Sequence, residues 1–480
     1  MSEAKLNRWI VEGTLTTLTP LHIGDGEFDL DPKSSQQIAR VQRPRPGDPP
    51  YIPGSSFRGF LRSCFEDAFP AAEVNDLFGF QHLRQTGNPA EASGGLLSVQ
   101  DAFIKSTANT EVLNHVVINR RTRTAAEHLL YAIEVVPAGT TFFLTLVVEG
   151  LRAKPDAISK LLAVLRNLQS SGRRLGAGTA DNMGKLSFSE TAVRQLTPQA
   201  LQAWVKKGGH LNEHLTRVSL PPLSLPTSSK WLYLDIELRF TGKFLVRDAV
   251  RSKDKARGLN LNASSIEARR TRDGRALLDA SSFFGPLRSQ CERIARTIAG
   301  PAASSHVRNV EITPDSGPAK VIDLNDATAV DCLFGGIGWL SPIQIEKDFE
   351  ATTVSPPTKQ EFLAIDRFTG GGVDGLKYDA CGFDRPTLQG RLKFDLDSLR
   401  YLAKEGRPPA VFPGSPPSFN DLWLLLAFTL RDLVEGDVYF GLGASKGFGA
   451  CSASISWPTS TSNGLPASFI EELSRKVSNV

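Results

Sequence analysis

Cysteine is scarce in this chain of 480 residues, and the five present (Cys64, Cys291, Cys332, Cys381 and Cys451) never form a C-x-x-C pair. That excludes the usual redox dithiol and thiolate metal cluster, and it suits buried apolar side chains in a reducing compartment. No H-E-x-x-H occurs, and the seven scattered histidines predict no zinc-hydrolase site. No apolar run approaches the roughly 20 residues that cross a bilayer. The opening segment, MSEAKLNRW, lacks the apolar core of a secretory signal. The expectation is a cytoplasmic protein with no membrane partner.

A large charge imbalance is also missing. The net charge of +4 permits nucleic-acid binding without requiring it, so the distribution carries the information. Residues 32–47 hold Lys33, Arg40, Arg43 and Arg45 with no acid, and residues 251–275 hold eight basic residues against Asp254, Glu267 and Asp273. A hydrophobic fraction of 41% with 22% charged residues is that of a folded globular chain. The length exceeds one ordinary core and predicts two or more domains.

What is present is a repeat. YIPGSSFRGFLRSCFED (51–67) returns as LLDASSFFGPLRSQCER (277–293), with Ser55-Ser56-Phe57 facing Ser281-Ser282-Phe283 at an offset of 226. In the same order, LTP (18–20) faces FTG (240–242), and LFG (77–79) faces LFG (333–335). INRRT (118–122) faces IDRFT (365–369), with Tyr131 facing Tyr378. Gly178 and Gly184 face Gly443 and Gly449. Five ordered matches argue for duplication. The Pro- and Ser-rich stretch 217–231 marks the break and predicts a first domain over 1–222 and a second over 223–480. Each copy reads as strand, long loop, helix, further strands, helix, glycine-rich turn and strand. RWIVEGTLTTLTPL and WLYLDIELRF are the leading strands. SSFRGFLRSCFEDAF is a helix capped by Ser55 or Ser56, and PDAISKLLAVLRNLQ and NDLWLLLAFTLRDLV are the second helices. This pattern predicts an α+β ferredoxin-like unit in each half.

Several segments carry candidate chemistry. SSGRRLGAGTADNMGKL joins helix to strand with Gly176 and Gly178 beside Arg173, Arg174 and Lys185. It is neither a Walker loop nor a dinucleotide fingerprint. It reads either as a plain turn needing positive φ or as a phosphate cradle, and Gly443 and Lys446 repeat it. Arg58 and Arg62 share a helix face near its start, where an anion is favoured over a cation, so a docked phosphate would account for them. Arg288 matches Arg62, whereas position 284 is Phe. Arg120, Arg121 and Arg123 precede a strand and suit contacts to a nucleic-acid backbone, with Arg367 the thinner counterpart. In GDGEFDLDP, Asp25, Asp29 and Asp31 offer oxygen ligands for a divalent cation or a base for RNA cleavage. Asp248 and Asp254 are their second-half counterparts. A solvated acidic turn is the bland alternative.

LTPLHIGDG, YIPGSSFRGFLRS, NDLFG, INRRTRTAAEHLLYAIEVVPAGTTF and GRRLGAGTADNMGKLSF together resemble the RAMP superfamily, and specifically the backbone subunits of type III CRISPR effector complexes. The doubled unit is similar to the tandem fused backbone proteins of type III-D variants and single-chain RAMP effectors. The resemblance implies two tandem RAMP domains of modified RNA-recognition-motif fold, each with a thumb hairpin. It implies a guide RNA held along the chain, pairing with complementary target RNA interrupted at each thumb, and further backbone, large and small subunits as partners. It assigns guide contacts to Ser55, Ser56, Arg58, Arg62 and the loop from Gly176 to Gly184, and thumb-base contacts to Arg120, Arg121 and Arg123. Ser281, Ser282, Arg288, Arg367, Gly443 and Lys446 follow in the second copy. Target cleavage would use a loop aspartate with Mg²⁺ or another divalent cation, held by Asp31 and Asp29. Asp31, Asp29 or Asp25 stands nearest the family position in the first copy, and Asp248 before Asp254 in the second. Two other readings stay open: a structural guide-binding subunit whose partner cuts, and a guide-processing endoribonuclease.

Overall fold

Alternation of apolar and polar residues builds both halves around one long strand each. In β1 (Arg8–Thr17) Trp9, Val11 and Leu15 are buried, and in the leading strand of the second half Leu232, Leu234, Ile236 and Leu238 are buried. The computed structural model describes residues 7–30, 37–81, 92–105, 109–118, 125–150, 153–179, 183–226, 231–248, 266–271, 273–300, 328–336, 340–399, 419–458, 471 and 474–477. The chain forms two compact units, residues 1–115 with 131–228, and residues 229–480 with 116–130. None of the described helices is long and apolar enough to cross a membrane.

After β1 the first half runs through β2 (Gly24–Leu30), β3 (Gln37–Val41), α1 (Gly54–Glu66), α2 (Ala71–Phe78), β4 (Glu111–Ile118), β5 (Ala125–Val135), β6 (Thr141–Glu149), α3 (Pro155–Arg166) and β7 (Leu186–Gln195). β1 lies between β6 and β7, antiparallel to both, with Val11 opposite Leu146 and Val193. Phe57, Leu61 and Phe65 of α1 and Leu161 and Leu165 of α3 share the core with Trp9, Val11 and Leu15. A second sheet, in the order β2-β3-β5-β4, carries the β4–β5 hairpin, and β3 runs parallel to β5.

The second half repeats this plan with β8 (Trp231–Phe240), α4 (Ala280–Ala299), α5 (Ala329–Phe334), β9 (Ile343–Ala351), β10 (Thr358–Ile365), β11 (Gly372–Asp384), β12 (Thr387–Asp395), α6 (Phe419–Glu435) and β13 (Cys451–Ser456). β8 lies between β12 and β13, again antiparallel to both. Phe283 and Leu287 of α4 and Leu426 and Leu430 of α6 pack with Leu234 and Leu238. The β10–β11 hairpin belongs to a smaller sheet, where Ile266–Glu267 runs parallel to β11 as β3 does to β5. Each half is thus an α+β unit of the expected kind.

Two local expectations are corrected. α1 is not capped by Ser55 or Ser56; Pro53 stands at its N-cap and the helix begins at Gly54. The amide of Gly54 donates to Asp101 Oδ1 at 2.7 Å, so the serines sit inside the first turn. GDGEFD, read as a loop, is strand β2, because Phe28 and Asp29 pair in register with Ala39 and Ile38 of β3.

Candidate nucleic-acid interface

α1 turns a strip of small polar residues outward. Ser55, Gly59 and Ser63 recur every four residues on one helical face, beside Ser56 and Phe60. Across from them lie Arg174, Leu175 and Gly176 of the glycine-rich turn, with Ile23 from the segment just before β2; together they line a cleft of about 400 Å³. The turn closes on the segment between β1 and β2 because its glycines let it. Gly176 has φ +86°, and a Cβ there would lie 2.2 Å from the His22 carbonyl oxygen. The neighbouring Ala177 amide donates to that oxygen at 2.9 Å. Gly59 differs: its φ is helical, and a Cβ there would meet nothing within 4 Å. A glycine inside a helix is unfavourable by roughly 0.5–1 kcal/mol relative to alanine, and no internal contact calls for it here.

The same turn is built twice, bond for bond. Leu175 donates to Gly184 O at 2.9 Å and Phe440 to Gly449 O at 3.0 Å. Gly184 donates to Pro20 O and Gly449 to Lys243 O, both at 2.8 Å, while Ala177 to His22 O at 2.9 Å is matched by Leu442 to Leu245 O at 2.7 Å. Gly178 and Gly443 have φ of +68° and +92°. Lys185 contributes its backbone to this frame, donating to Thr19 Oγ1 at 3.0 Å. Lys446 sends its ammonium to the hairpin, 4.4 Å from the ring centroids of both Phe362 and Tyr378. Those rings stack across β10 and β11 at 5.1 Å, as His115 and Tyr131 do across β4 and β5.

Four expected arginines have structural work instead of an open anion to hold. Arg62 donates to Gly79 O at 2.8 Å, Asn75 Oδ1 at 3.2 Å and Glu66 Oε1 at 2.8 Å, tying α1 to the end of α2. Arg288 is 6% exposed. It donates to Gly335 O at 2.7 Å and pairs with Asp331 at 2.8 Å. Both thus grip the glycine carbonyl of an LFG segment. Arg58 donates to the carbonyls of Phe78 and Leu97, and Arg173 forms a two-point pair with Asp67 at 2.6 and 2.7 Å. Periodicity put Arg58, Arg62 and Arg288 on the right helix faces but could not show carbonyls on another segment. Arg367 lies exposed at the β10–β11 tip, beside the fully exposed Phe368. Arg120, Arg121 and Arg123 lie outside the described residues. Ser281 and Ser282 occupy the first turn of α4.

Two of the described aspartates converge on an arginine. Asp25 and Asp29 stand on β2, and both pair with Arg40, at 3.2 and 3.5 Å. A cation between these two carboxylates would sit against that guanidinium, so Asp25 and Asp29 do not fit a divalent metal. The Asp248 amide donates to Glu267 O at 2.8 Å. Asp31 and Asp254 lie outside the described residues. One acidic trio among the described residues, Asp432, Glu435 and Asp437, brings its oxygens within 4.8 Å of one another. Asp432 accepts from Gln290 and Glu435 from Arg431, which makes it an ordinary helix-end cluster.

At the hairpin base, Glu134 of β5 accepts from Arg43, Thr110 and the Val41 amide. Burial alone would raise this carboxyl, but the hydrogen bonds outweigh it and hold it at about 2. Two short strings resemble enzyme motifs and were not anticipated. HLNEH (210–214) has metal-ligand spacing, yet it forms a single 3₁₀ turn with the His214 ring bonded to Gly208 O at 3.0 Å. GASKG (443–447) has the nucleophile-elbow spacing, yet it follows a helix and precedes a strand, the reverse of that elbow.

Of the expected RNA-contacting residues, then, the cleft gathers Ser55, Ser56, Arg174 and Gly176. Sequence reasoning missed Gly59 and Ser63, although Gly285 and Ser289 repeat them at the same offset of 226 as Ser55 and Ser281. No curated protein matches the chain. A family model described as "RAMP superfamily" matches residues 14–187 and 262–452, more than half of the chain.

Proposed function

The chain belongs to the RAMP superfamily, which carries a CRISPR-associated RNA-binding role, and from that premise we propose that it is a guide-RNA-binding backbone subunit of a type III CRISPR effector complex. The observation that carries this reading is the cleft between α1 and the glycine-rich turn. Its hydroxyls, open helix backbone at Gly59 and Arg174 suit an RNA sugar-phosphate chain passing close to the helix. The paired hairpins support the partner half of the reading. The β10–β11 tip presents Phe368 and Arg367 to solvent, as a segment that parts guide and target would.

Cleavage of the paired target is the second element of the proposal and rests on the sequence resemblance. With Asp25 and Asp29 engaged by Arg40, it is assigned to Asp31 in the first half and Asp248 in the second. The purified complex, given labelled complementary RNA with Mg²⁺ or with chelator, tests both elements. Asp31→Ala is expected to remove one cut and Asp248→Ala another, with guide retained. Cuts that persist in the double variant would move cleavage to a partner subunit. Guide binding indifferent to salt would sink the phosphate-contact reading itself.

A further inference from the structure

The two glycine-rich turns are built on one frame, but the residues that the second half places around its turn and helix start differ from those lining the first-half cleft. In the first half, the cap residue Pro53 uses no side chain, and Arg174 lies across from Ser55 and Ser56. In the second, Asp279 is fully buried at the N-cap of α4 and accepts from the Ser282 amide at 2.8 Å and the Ser281 hydroxyl at 2.8 Å. The donors that would meet an anion are therefore spent on the protein's own carboxylate. Pro286 stands where the first half has Phe60, and having no N–H it cannot donate to the Ser282 carbonyl one turn back. That leaves an acceptor, which repels phosphate oxygens.

The matching hydrogen bonds of Leu175 and Phe440 put Tyr439 at the place of Arg174. Phe440 is buried as Leu175 is, so the residue before it points outward, and Tyr439 is 47% exposed. Leu442, in the same turn, is equally exposed at 47%. In α4, a Cβ on Gly285 would meet nothing within 4 Å, as at Gly59 in α1. The open approach to the helix is kept while the charge is replaced by an aromatic face.

Resting on the RNA-binding reading above, we propose that the second half's glycine-rich turn takes a nucleobase and its ribose, with the exposed Tyr439 as the stacking surface, while the first-half cleft takes the phosphate chain. Every base has a π face, so such a contact tolerates any guide sequence and does not release counterions. The carbonyl freed by Pro286 suits a base N–H or a ribose hydroxyl.

The test uses the full chain with a fluorescein-labelled single-stranded RNA, and the same strand carrying abasic residues, titrated at several salt concentrations. Arg174→Ala is expected to reduce the salt slope by about one phosphate contact. Tyr439→Ala is expected to weaken binding roughly 5- to 100-fold with the slope unchanged, Tyr439→Phe to restore it, and abasic RNA to bind the wild type and Tyr439→Ala alike. Unaltered melting of the Tyr439 variants excludes misfolding as the cause. If Tyr439→Ala binds as wild type while Arg174→Ala still lowers the slope, the stacking site is refuted and the RNA-binding reading stands. That result would also be the one expected if the face docks a protein. If Tyr439→Ala lowers the slope as Arg174→Ala does, the second turn holds phosphate after all. If no variant matters and affinity ignores salt, the reading beneath both fails.

Discussion

Gly59 offers a test in which stability and binding move in opposite directions. It lies in the interior of α1, faces the cleft, and a Cβ there would touch nothing within 4 Å. Replacing it with alanine removes backbone entropy from the unfolded chain and adds no clash, so the folded state should gain roughly 0.5–1 kcal/mol. For a unit of this size that corresponds to a rise in melting temperature of about 1–4 °C. Leucine has nearly the same helix propensity, so Gly59→Leu should melt close to Gly59→Ala. Its side chain, however, would stand in the space through which we route the RNA. The expected result is a graded loss of guide affinity, small for alanine and roughly tenfold or more for leucine, from variants at least as stable as wild type. Thermal melting by circular dichroism and RNA titration by anisotropy measure the two effects on the same samples. A stable Gly59→Leu protein that binds guide RNA as wild type would refute the close approach to α1. A destabilised Gly59→Ala would refute the open-space argument itself.

Three other outcomes follow from geometry. Arg288→Ala removes the counter-charge of the buried Asp331 carboxylate, which keeps only the Thr328 cap among the hydrogen bonds described, and should cost about 3–5 kcal/mol, whereas Arg62→Ala, whose pair with Glu66 is exposed, should cost about 1 kcal/mol; denaturant titration of both variants compares the two clamps. Glu134 is held at about 2 in the folded protein against 4.5 ordinarily. Its contribution to stability should therefore be complete above pH 4.5 and fade as pH falls towards 2, so Glu134→Gln should make the loss of melting temperature across that range shallower than in the wild type, other carboxylates keeping their share. Phe368→Ala should leave the melting temperature unchanged because the ring is fully exposed. It should shift the register of protected and cleaved positions on paired target RNA, read by footprinting.

Much of this fold was legible because apolar alternation and helical periodicity are local. β1, β8, α3 and α6 lie where their patterns put them, and the repeat announced a doubled unit. The cleft was legible in part: serines after a strand and glycines before one are read from the chain, and the frame brings them together. Arg62 and Arg288 were not, since what they grip is a carbonyl many residues away that no periodicity marks. LFG recurring with an arginine in both copies was the available signal. Asp25 and Asp29 were misread as a loop because Gly24 and Gly26 lie within a short strand whose register depends on β3. Gly59 escaped notice because a lone helical glycine looks like noise until Gly285 repeats it.

The placement of β1 between β6 and β7 also bears on how the chain is made. The strand completed first must wait for partners that begin at Thr141 and Leu186. At about 5–20 residues per second of synthesis, both of its edges stay unpaired for on the order of ten seconds, and β8 repeats the delay behind β12 and β13. A bare apolar strand in that interval is a template for intermolecular pairing. Ribosome-bound fragments from which Leu186–Gln195 has not yet emerged should therefore recruit chaperones, and those in which it has emerged should release them. Each half becomes safe from its own neighbours on the polysome only when its last strand arrives.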